Sequence, residues 1–600
     1  MNTLHLAPEA ATTNPIQHVA KIEFIHDYEL NDKQRNQLRK LIDKYRIEVI
    51  HRNPSLEELP MPFGCKTVPG FEERIVCLKI GDAVGGFIGY NVESKVLNET
   101  RLFVDIAFRG KGYAVALLNQ LLIVARKNSL RAIYFYNLTN DGKIAVKKFE
   151  KVIEQSNDHH LRFFYRENVV TIVLEDEIGC SDFTEHKKIL PCFFPYEQDV
   201  LVFDAKDNYI FTNYGRLLDV NSGYWCSPFG YRHPDLDKLL TQGYFSHLFG
   251  YLHPPAISLA QKLCEITGMA RVAYNTSGSS VVDAAIRLAW QYVKTRYKDE
   301  QERKIIVSLQ GGFYGSATTG LEAAGLKAIG CDYKYYLPDH EVDKKIDPFG
   351  ECFNPLEELI EKESLQGKIA AFIFEPILGV RGAYALDKKR LNAMMDTCKK
   401  YEIVTIADEI STGIGRTGEL YACKLYDISP DMICFGKPLT NGMFPLAALL
   451  FNDKINSIFL ENQHPKRNDF LYGSTLGGHP TGCMIALKII DLLQRGTTLQ
   501  RIRQVNEFML SNLRDFQKKF SIIQNIHGIG LMLGIELKKS SMAKTIQSEL
   551  RKYWINCIPE GRILMLMPPY TITDEQLAYF LNALEKIMGE VAACYEKVRN

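Results

Sequence analysis

The sequence predicts an α/β protein in three parts: a large domain on a parallel sheet with helices on both faces, a smaller C-terminal lobe, and an α+β domain ahead of both. Three observations lead there. The chain has 600 residues, several times the ~100–200 of one ordinary domain. Past residue 195, short continuously apolar runs alternate with amphipathic helices, the pattern of parallel strands buried on both faces. Before residue 178 the order is instead mixed, with a hairpin and alternating strands and helices.

Composition narrows the class. Hydrophobic residues make up 46% and charged residues 24%, with 42 Gly and 24 Pro, which excludes collagen-like, low-complexity and disordered chains. Lys+Arg 72 against Asp+Glu 71 leaves a net charge of +1, so no global field attracts nucleic acid or an anionic membrane. The 14 cysteines are scattered, Cys423 and Cys434 being the closest pair; neither zinc-site spacing nor a disulfide framework is present, and reduced core thiols and no metal are expected. The adjacent His159 and His160 lie in a polar stretch without further ligands. The start, MNTLHLAPEAATTN, lacks a basic and an apolar region, and no run approaches the ~18 apolar residues of a membrane span. A cytoplasmic enzyme is expected.

The elements follow in order. Residues 20–178 read as one domain: a strand in KIEFIHDYEL, a helix after the N-cap Asn31, a hairpin around Gly81 and Asp82, a strand in TRLFVDIAF, a helix in VALLNQLLIVARKNS, then RAIYFYNL, AVKKFEKVIEQ and VVTIVLED as strand, helix and strand. Residues 179–195 lack sustained periodicity and read as a linker. In 196–600 the strands are KIIVSL, AAFIFEP, IVTIADE and MICFGK, with helices such as VVDAAIRLAWQYVKTRYK between them; the small lobe takes about 196–240 and 500–600. A parallel sheet presents ligands at the carboxyl ends of its strands.

Two stretches carry chemistry. FVDIAFRGKGYA runs from a strand through Arg109, Gly110, Lys111 and Gly112 to Tyr113 and Ala114 at a helix start; small residues admit a phosphate to the free N–H groups there, and the cations add charge. It resembles motif A of the GCN5-related N-acetyltransferases (GNAT), whose pattern Arg109, Gly112 and Ala114 match. The resemblance implies a loop that binds the pyrophosphate of acetyl-CoA or another acyl-CoA. That family often has a tyrosine that reprotonates the thiolate; in AVKKFEK, Phe149 stands there. Two readings stay open: transfer with another proton source, or a non-catalytic acyl-CoA-binding or docking module.

In the large domain Asp408 and Lys437 each end an apolar run. A lysine amine in such a crevice can condense with an aldehyde, and a carboxylate can hold a pyridine nitrogen protonated. Ser277, Gly278 and Ser279 precede a long helix as a phosphate cup; Phe313 offers an aromatic face; Glu375 ends another run; and Gly473, Ser474 and Thr475 form a second small polar group. Together these segments resemble the class III (subgroup II) pyridoxal-phosphate aminotransferases of fold type I. The resemblance implies that Lys437 carries the cofactor and moves the proton, that Asp408 pairs with the ring nitrogen, that Ile410 packs on the ring, and that Gly278, Ser279 and Thr475 contact the phosphate, Thr475 from the second subunit of a homodimer. An amine donor and a carbonyl acceptor are the implied partners; decarboxylase or aminomutase chemistry on the same scaffold stays open.

Within that class SGYWCSPFGYRHP, DEISTGIGRTG and LMPPYTI are most similar to the diaminopelargonate synthases, with Tyr224 and Trp225 as the paired aromatic residues and Arg416 as the active-site arginine. Two positions depart. Phe313 replaces a tyrosine, and Ile558 stands where an arginine receives the substrate carboxylate, a bidentate contact that an aliphatic side chain forfeits. Val380 and Arg381 in EPILGVRG also differ from the usual run. Arg381 is expected either to replace the lost contact or to form a surface salt bridge, and the acceptor to carry an apolar or thioester-linked tail.

Overall fold

The computed structural model describes residues 22–26, 74–80, 83–93, 96–104, 113–127, 130, 132–136, 140–155, 161–165, 169–174, 200, 202–243, 248, 252–297, 303–317, 344–461 and 472–599. They fall into two compact units, residues 1–205 with 210–217 and residues 206–209 with 218–600.

In the first unit the described strands are β1 (Ile22–His26), β2 (Arg74–Ile80), β3 (Ala83–Glu93), β4 (Val96–Val104), β5 (Ala132–Tyr136), β6 (Leu161–Tyr165) and β7 (Val169–Leu174), with α1 (Tyr113–Lys127) and α2 (Asn140–Gln155). Their order is β1-β2-β3-β4-β5-β7-β6. All pairs are antiparallel except β4 with β5. Leu117, Leu118, Leu121 and Ala125 of α1 and Val146, Phe149 and Ile153 of α2 recur at helical spacing and meet Ile133, Phe135, Val170 and Ile172 of the sheet in one core. β2 pairs antiparallel with β3 down to Ile80 opposite Ala83, while Gly81 and Asp82, where the sequence places a hairpin turn, lie outside the described residues. Strand β6, LRFFY, was not anticipated; it is five residues long and pairs with β7. The helix expected after Asn31, the pair His159 and His160, and the linker 179–195 lie outside the described residues.

In the second unit a sheet is formed by β8 (Arg271–Asn275), β9 (Ile305–Leu309), β10 (Lys344–Ile346), β11 (Ile369–Phe374), β12 (Val404–Asp408), β13 (Met432–Phe435) and β14 (Ala447–Phe451). Its order is β8-β14-β13-β12-β11-β9-β10. The four strands expected from sequence, β9, β11, β12 and β13, are parallel. The described sheet also carries an element the sequence reading did not name: β14 runs antiparallel to both β13 and β8. A short turn after Lys437 returns the chain beside β13, so no crossover is needed and the direction reverses.

Period-two geometry explains why these strands read as unbroken apolar runs. Phe372, Phe374, Ala407, Ile433 and Phe435 point into one core, and Ala371, Ile373, Ile406, Met432 and Cys434 into the other, where the helix α3 (Gly278–Arg296) lays down Val281, Val282, Ala285, Ile286 and Ala289. Phe372 and Phe374 are fully buried, and truncating either to alanine costs roughly 3–5 kcal/mol. A second sheet, from Ile523–Ile529, Met532–Leu537, Ile558–Glu560 and Ile563–Leu566, forms the C-terminal lobe together with the helices Ser540–Lys552 and Asp574–Arg599. Among the described residues no helix is long and apolar enough to cross a membrane, and no cluster of three or more His, Cys, Asp or Glu is placed to hold a metal.

Three helix starts share one device. His233, His253 and His479 each precede a proline, and each Nδ1 accepts a backbone N–H, from Asp235, Ala256 and Thr481 respectively. Proline is favourable in the first helical turn, but the cap works only while Nδ1 is unprotonated. Burial lowers the pKa of His233 and of His479, the latter also through the neighbouring His253. A lowered folded pKa means the caps contribute fully above the unfolded value of about 6.5 and are lost as pH falls through the folded value. Asparagine caps without titrating. In His479→Asn the fall in melting temperature between about pH 7.5 and pH 5.5 is therefore expected to shrink by roughly 1–2 °C relative to wild type, measured by calorimetry at both pH values.

Candidate functional site

The site forms where β12 and β13 end side by side. Asp408, the last residue of β12, is paired in register with Cys434. Lys437 lies just past β13 and opens a 3-10 turn, Lys437–Thr440, with its own φ at +35°. Strained backbone of this kind is retained where the surroundings dictate it. The Lys437 Nζ donates to Ser411 Oγ at 2.7 Å and lies 4.5 Å from the centre of the Trp225 ring. Burial lowers its pKa, opposed by the charges of Cys226, Asp408 and Glu375. The direction favours the neutral, nucleophilic form of the amine.

Asp408 is 4% exposed; its Oδ1 accepts the Ile410 N–H at 2.9 Å, and Oδ2 accepts from no described residue. Burial pushes its pKa up, while the Ile410 N–H and the Lys437 charge pull it down. Glu375 is a second buried carboxyl, pushed up by burial and by Asp408, and it accepts the N–H groups of Phe313 at 2.8 Å and Gly379 at 3.2 Å. It thereby ties the Phe313 segment to the end of β11.

The phosphate cup is built as expected in part. Ser277 caps α3 by accepting the Ser280 N–H, and Ser280 Oγ returns a contact to the Ser277 N–H. At Gly278 a Cβ would stand 3.0 Å from Ile410 Cδ1, and at Gly436, beside Lys437, one would stand 3.7 Å from Gly278 Cα. The lysine turn, Ile410 and the mouth of the cup are thus in van der Waals reach. Ser279 Oγ accepts the Ser316 N–H at 3.0 Å, made possible by Gly315 at φ +98°, where a Cβ would meet Ser279 Cα at 2.8 Å. Gly473 and Thr475 are exposed and Ser474 half-buried, and no hydrogen bond among the described residues joins them to Gly278 or Ser279. Within one chain that second polar group does not complete the cup.

Tyr224 and Trp225 lie in a turn, Ser222–Trp225, with left-handed backbone throughout: φ is +50° at Ser222, +57° at Gly223 and Tyr224, and +74° at Trp225. For residues other than glycine this costs about 1–2 kcal/mol each. It stacks the two rings at 5.4 Å, brings Trp225 over Lys437, and lets Tyr224 donate to Glu560 at 2.7 Å. Arg416 is fully buried; Nη1 donates to the carbonyls of Pro568 at 2.8 Å and Leu531 at 3.3 Å, the ring of Tyr570 lies 4.9 Å away, and Nε and Nη2 have no partner among the described residues. Burial lowers its pKa. A desolvated guanidinium with two open donors matches a carboxylate. Burial raises the Cys226 thiol, which both Lys437 and Arg416 influence in the opposite sense.

The surroundings correct one expectation. Arg381 neither forms a surface salt bridge among the described residues nor takes up a free position: Nη1 donates to the Gln310 carbonyl at 3.0 Å, and the guanidinium lies over Phe349 and Tyr384. Ile558 is half-buried, and Trp225 packs with Ile377, Met532, Ile563, Met565 and Met567, with Val380 against them. Sequence reasoning missed Ser411 and Ser316. The available signal was a hydroxyl one turn past a strand end, three residues after Asp408 and three after Phe313. It also missed Glu409, which accepts from Thr412, Ala422 and Cys423 and braces the segment carrying Arg416.

In the first unit Arg109, Gly110, Lys111 and Gly112 lie outside the described residues, whereas Tyr113 begins α1 and Ala114 sits in its first turn. Among the described residues β4 and β5 pair at Val96 with Ala132 and Leu97 with Ile133, and no further rung joins them. Phe149 is 1% exposed and meets Phe163 edge-on at 6.0 Å. It is a core residue rather than a side chain presented to a ligand.

A half-buried lysine amine against an indole ring, a buried carboxylate at the end of the neighbouring strand and a helix-mouth cup are the groups that a pyridoxal-phosphate-dependent transferase requires. The donor set fits that cofactor: the open Asp408 Oδ2 suits a ring N–H, and Gly278 keeps the cup clear beside Ile410. Residues 195–588 match the family model described as aminotransferase class-III, and the chain belongs to that family. Residues 41–153 match the acetyltransferase (GNAT) family. The chain is 29% identical over 443 residues to an adenosylmethionine-8-amino-7-oxononanoate aminotransferase of Staphylococcus aureus, covering 68% of this chain and 96% of that protein. To an acetylornithine aminotransferase of Methanocaldococcus jannaschii it is 29% identical over 380 residues, covering 63% and 90%. A transaminase from the marine bacterium Virgibacillus shares the fold at TM-score 0.63 and 24% identity, over 69% of this chain and 99% of that one. An omega-aminotransferase from Paracoccus denitrificans does so at TM-score 0.61 and 25% identity, over 69% and 99%.

Because Phe149 is packed on all sides, Phe149→Tyr is expected to lower stability by about 1–3 kcal/mol through a buried, unpaired hydroxyl, without raising acyl transfer. Denaturant titration alongside a thiol-release assay checks both.

Proposed function

We propose that this chain moves an amino group from a carboxylate-bearing donor to a ketone or aldehyde at Lys437, and acylates an amine from acetyl-CoA or a related acyl-CoA in residues 20–178. The assignment of residues 196–600 to the aminotransferase part, with 179–195 as linker, belongs to the same reading. The observation that carries it is the Lys437 amine, desolvated between Ser411 and the Trp225 ring beside buried Asp408.

Pyridoxal phosphate, when bound, supplies an electrophilic carbonyl carbon and a ring that accepts electrons. The protein's groups do the rest. Lys437 Nζ, neutral through desolvation, takes the proton from the donor's α-carbon and returns it to the acceptor's carbon. Asp408 remains ionised against a protonated ring nitrogen, whose charge offsets its burial. Gly278, Ser279 and Ser316 would hold the phosphate, and Phe313 and Ile410 would pack against the ring. Arg416 receives the donor's carboxylate on Nε and Nη2. Trp225 and Tyr224 exclude water, and Ile558 with the Met532, Met565 and Met567 wall accepts an apolar or thioester-linked tail. The exposure of Thr475 supports its serving the cup of a second subunit in a homodimer. A cytoplasmic location agrees with this chemistry.

In the N-terminal domain the unjoined edges of β4 and β5 and the start of α1 support acyl-CoA binding. The packing of Phe149 favours a second reading, a domain that binds an acyl-CoA without transferring it.

Lys437→Ala is expected to abolish both turnover and the visible absorbance gained on adding pyridoxal phosphate; full activity would end the assignment. Asp408→Asn should retain most cofactor and lose about 100-fold or more in kcat, on the order of 3 kcal/mol. Incubation with pyridoxamine phosphate and a carbonyl panel, then acetyl-CoA, should yield long-chain amines and their N-acyl products by mass. Robust diaminopelargonate formation with inert long-chain carbonyls would refute the acceptor class, and amines without acylation would favour the binding module.

A further inference from the structure

Asp219 is 2% exposed and lies outside every contact so far assigned to cofactor or substrate. Its carboxylate accepts from four donors: the Asn221 N–H at 3.0 Å and Asn556 Nδ2 at 3.1 Å on Oδ1, the Gly223 N–H at 2.7 Å and Tyr231 Oη at 2.6 Å on Oδ2. Two of these donors belong to the left-handed turn and its entry, one to the segment that follows it, and one to the C-terminal lobe. The turn closes on itself through Trp225 N–H to the Asn221 carbonyl at 2.8 Å, and Ser222 Oγ anchors it to the Met567 carbonyl at 2.6 Å. A run of left-handed residues that includes Ser222, Tyr224 and Trp225 is intrinsically unfavourable and needs an external fixture. A carboxylate that satisfies the N–H groups at its start is such a fixture, because the ordinary backbone conformations would turn those N–H groups away from it.

We infer that Asp219 is a positioning residue that holds the Ser222–Trp225 turn in its left-handed form and so keeps the Trp225 ring over the Lys437 amine. The inference rests on Lys437 being the reacting lysine. Trp225, Ser411, Cys226, Asp408 and Glu375 are the groups that bear on that amine. Of these, Trp225 and Cys226, its neighbour in the chain, are the ones that Asp219 reaches through the turn, and it is the Trp225 ring that lies against the amine. The same carboxylate joins Asn556 of the C-terminal lobe to the turn, so a displacement of that lobe's edge reaches Lys437 by way of Asp219. The Ser227–Gly230 stretch carries the link on: Ser227 Oγ donates to the Asn441 carbonyl, and Asn441, at the end of the lysine turn, binds the Phe229 N–H and the Gly230 carbonyl.

The test reads Lys437 itself. In the cofactor-free full chain, labelling of Lys437 by pyridoxal phosphate, trapped with borohydride and located by mass, is followed against pH. In Asp219→Asn the turn relaxes, water reaches the amine, and the labelling midpoint should rise by about one pH unit, about tenfold less labelling near neutrality. Tyr231→Phe should give a smaller rise in the same direction. Gly223→Ala keeps the carboxylate but puts a Cβ 2.9 Å from Tyr231 Oη in a residue at φ +57°, and should reproduce the Asp219→Asn shift. Circular dichroism and melting establish that each variant is folded; where Asp219→Asn is not, Tyr231→Phe and Gly223→Ala decide. Folded variants with an unshifted midpoint would overturn the positioning role while leaving the Lys437 assignment intact. Loss of labelling specific to Lys437 in the wild type would instead overturn the assignment on which it rests.

Discussion

One amine has been taken out of water at the end of a strand, and much of the second unit exists to make that tolerable. A lysine ammonium in a dry crevice is costly unless it is paired, neutralised or hydrogen-bonded. Here Lys437 has Ser411 as acceptor, the indole of Trp225 as cover and two buried carboxyls in its field. The charges are mutually dependent. Burial raises both Asp408 and Glu375, the charge of Asp408 raises Glu375 further as that of Glu409 does Asp408, and both are eased by the lysine. Asp408 would hold a protonated ring nitrogen of the cofactor, and a positive charge there would ease the burial of both carboxyls.

The same accounting applies to Arg416. Its guanidinium is buried with one nitrogen bound to carbonyls and two donors open, and a buried cation in that state favours any carboxylate that can reach it. Gly415 at φ +90°, Ile414 at +54° and the Glu409 brace shape the segment that carries it. Left-handed backbone therefore occurs on both sides of the amine, in the Arg416 segment and in the Ser222–Trp225 turn. In each case a buried carboxylate, Glu409 or Asp219, accepts several N–H groups and holds the conformation.

The N-terminal unit works by different means. Its two described helices share one core with a mostly antiparallel sheet, and the point of interest is where the described pairing of the parallel strands β4 and β5 stops. Unpaired strand edges are sites where an extended ligand can satisfy backbone groups. That Phe149 is packing rather than chemistry shifts attention from proton supply to binding in this part of the chain.

Linear order carried a good deal of this. Apolar runs with period-two burial on both faces made β9, β11, β12 and β13 readable, because each residue's environment there is set by its own strand. Asp408, Lys437 and Gly278 stood out as candidates because strand ends and a helix start carry them, and Arg416 came from the resemblance alone. What sequence could not supply were relations between segments. The reversal of β14 depends on a turn whose direction no local propensity dictates. Ser411 and Ser316 gain meaning only when strand ends converge, Arg381 was misjudged because its partners lie some 70 residues before it in Gln310 and in nearby rings, and Asp219 meets Asn556 across 337 residues. Residue types and periodicity determined which chemistry was available. Tertiary packing decided which groups would be desolvated together, and desolvation sets the charge of an amine or a carboxylate.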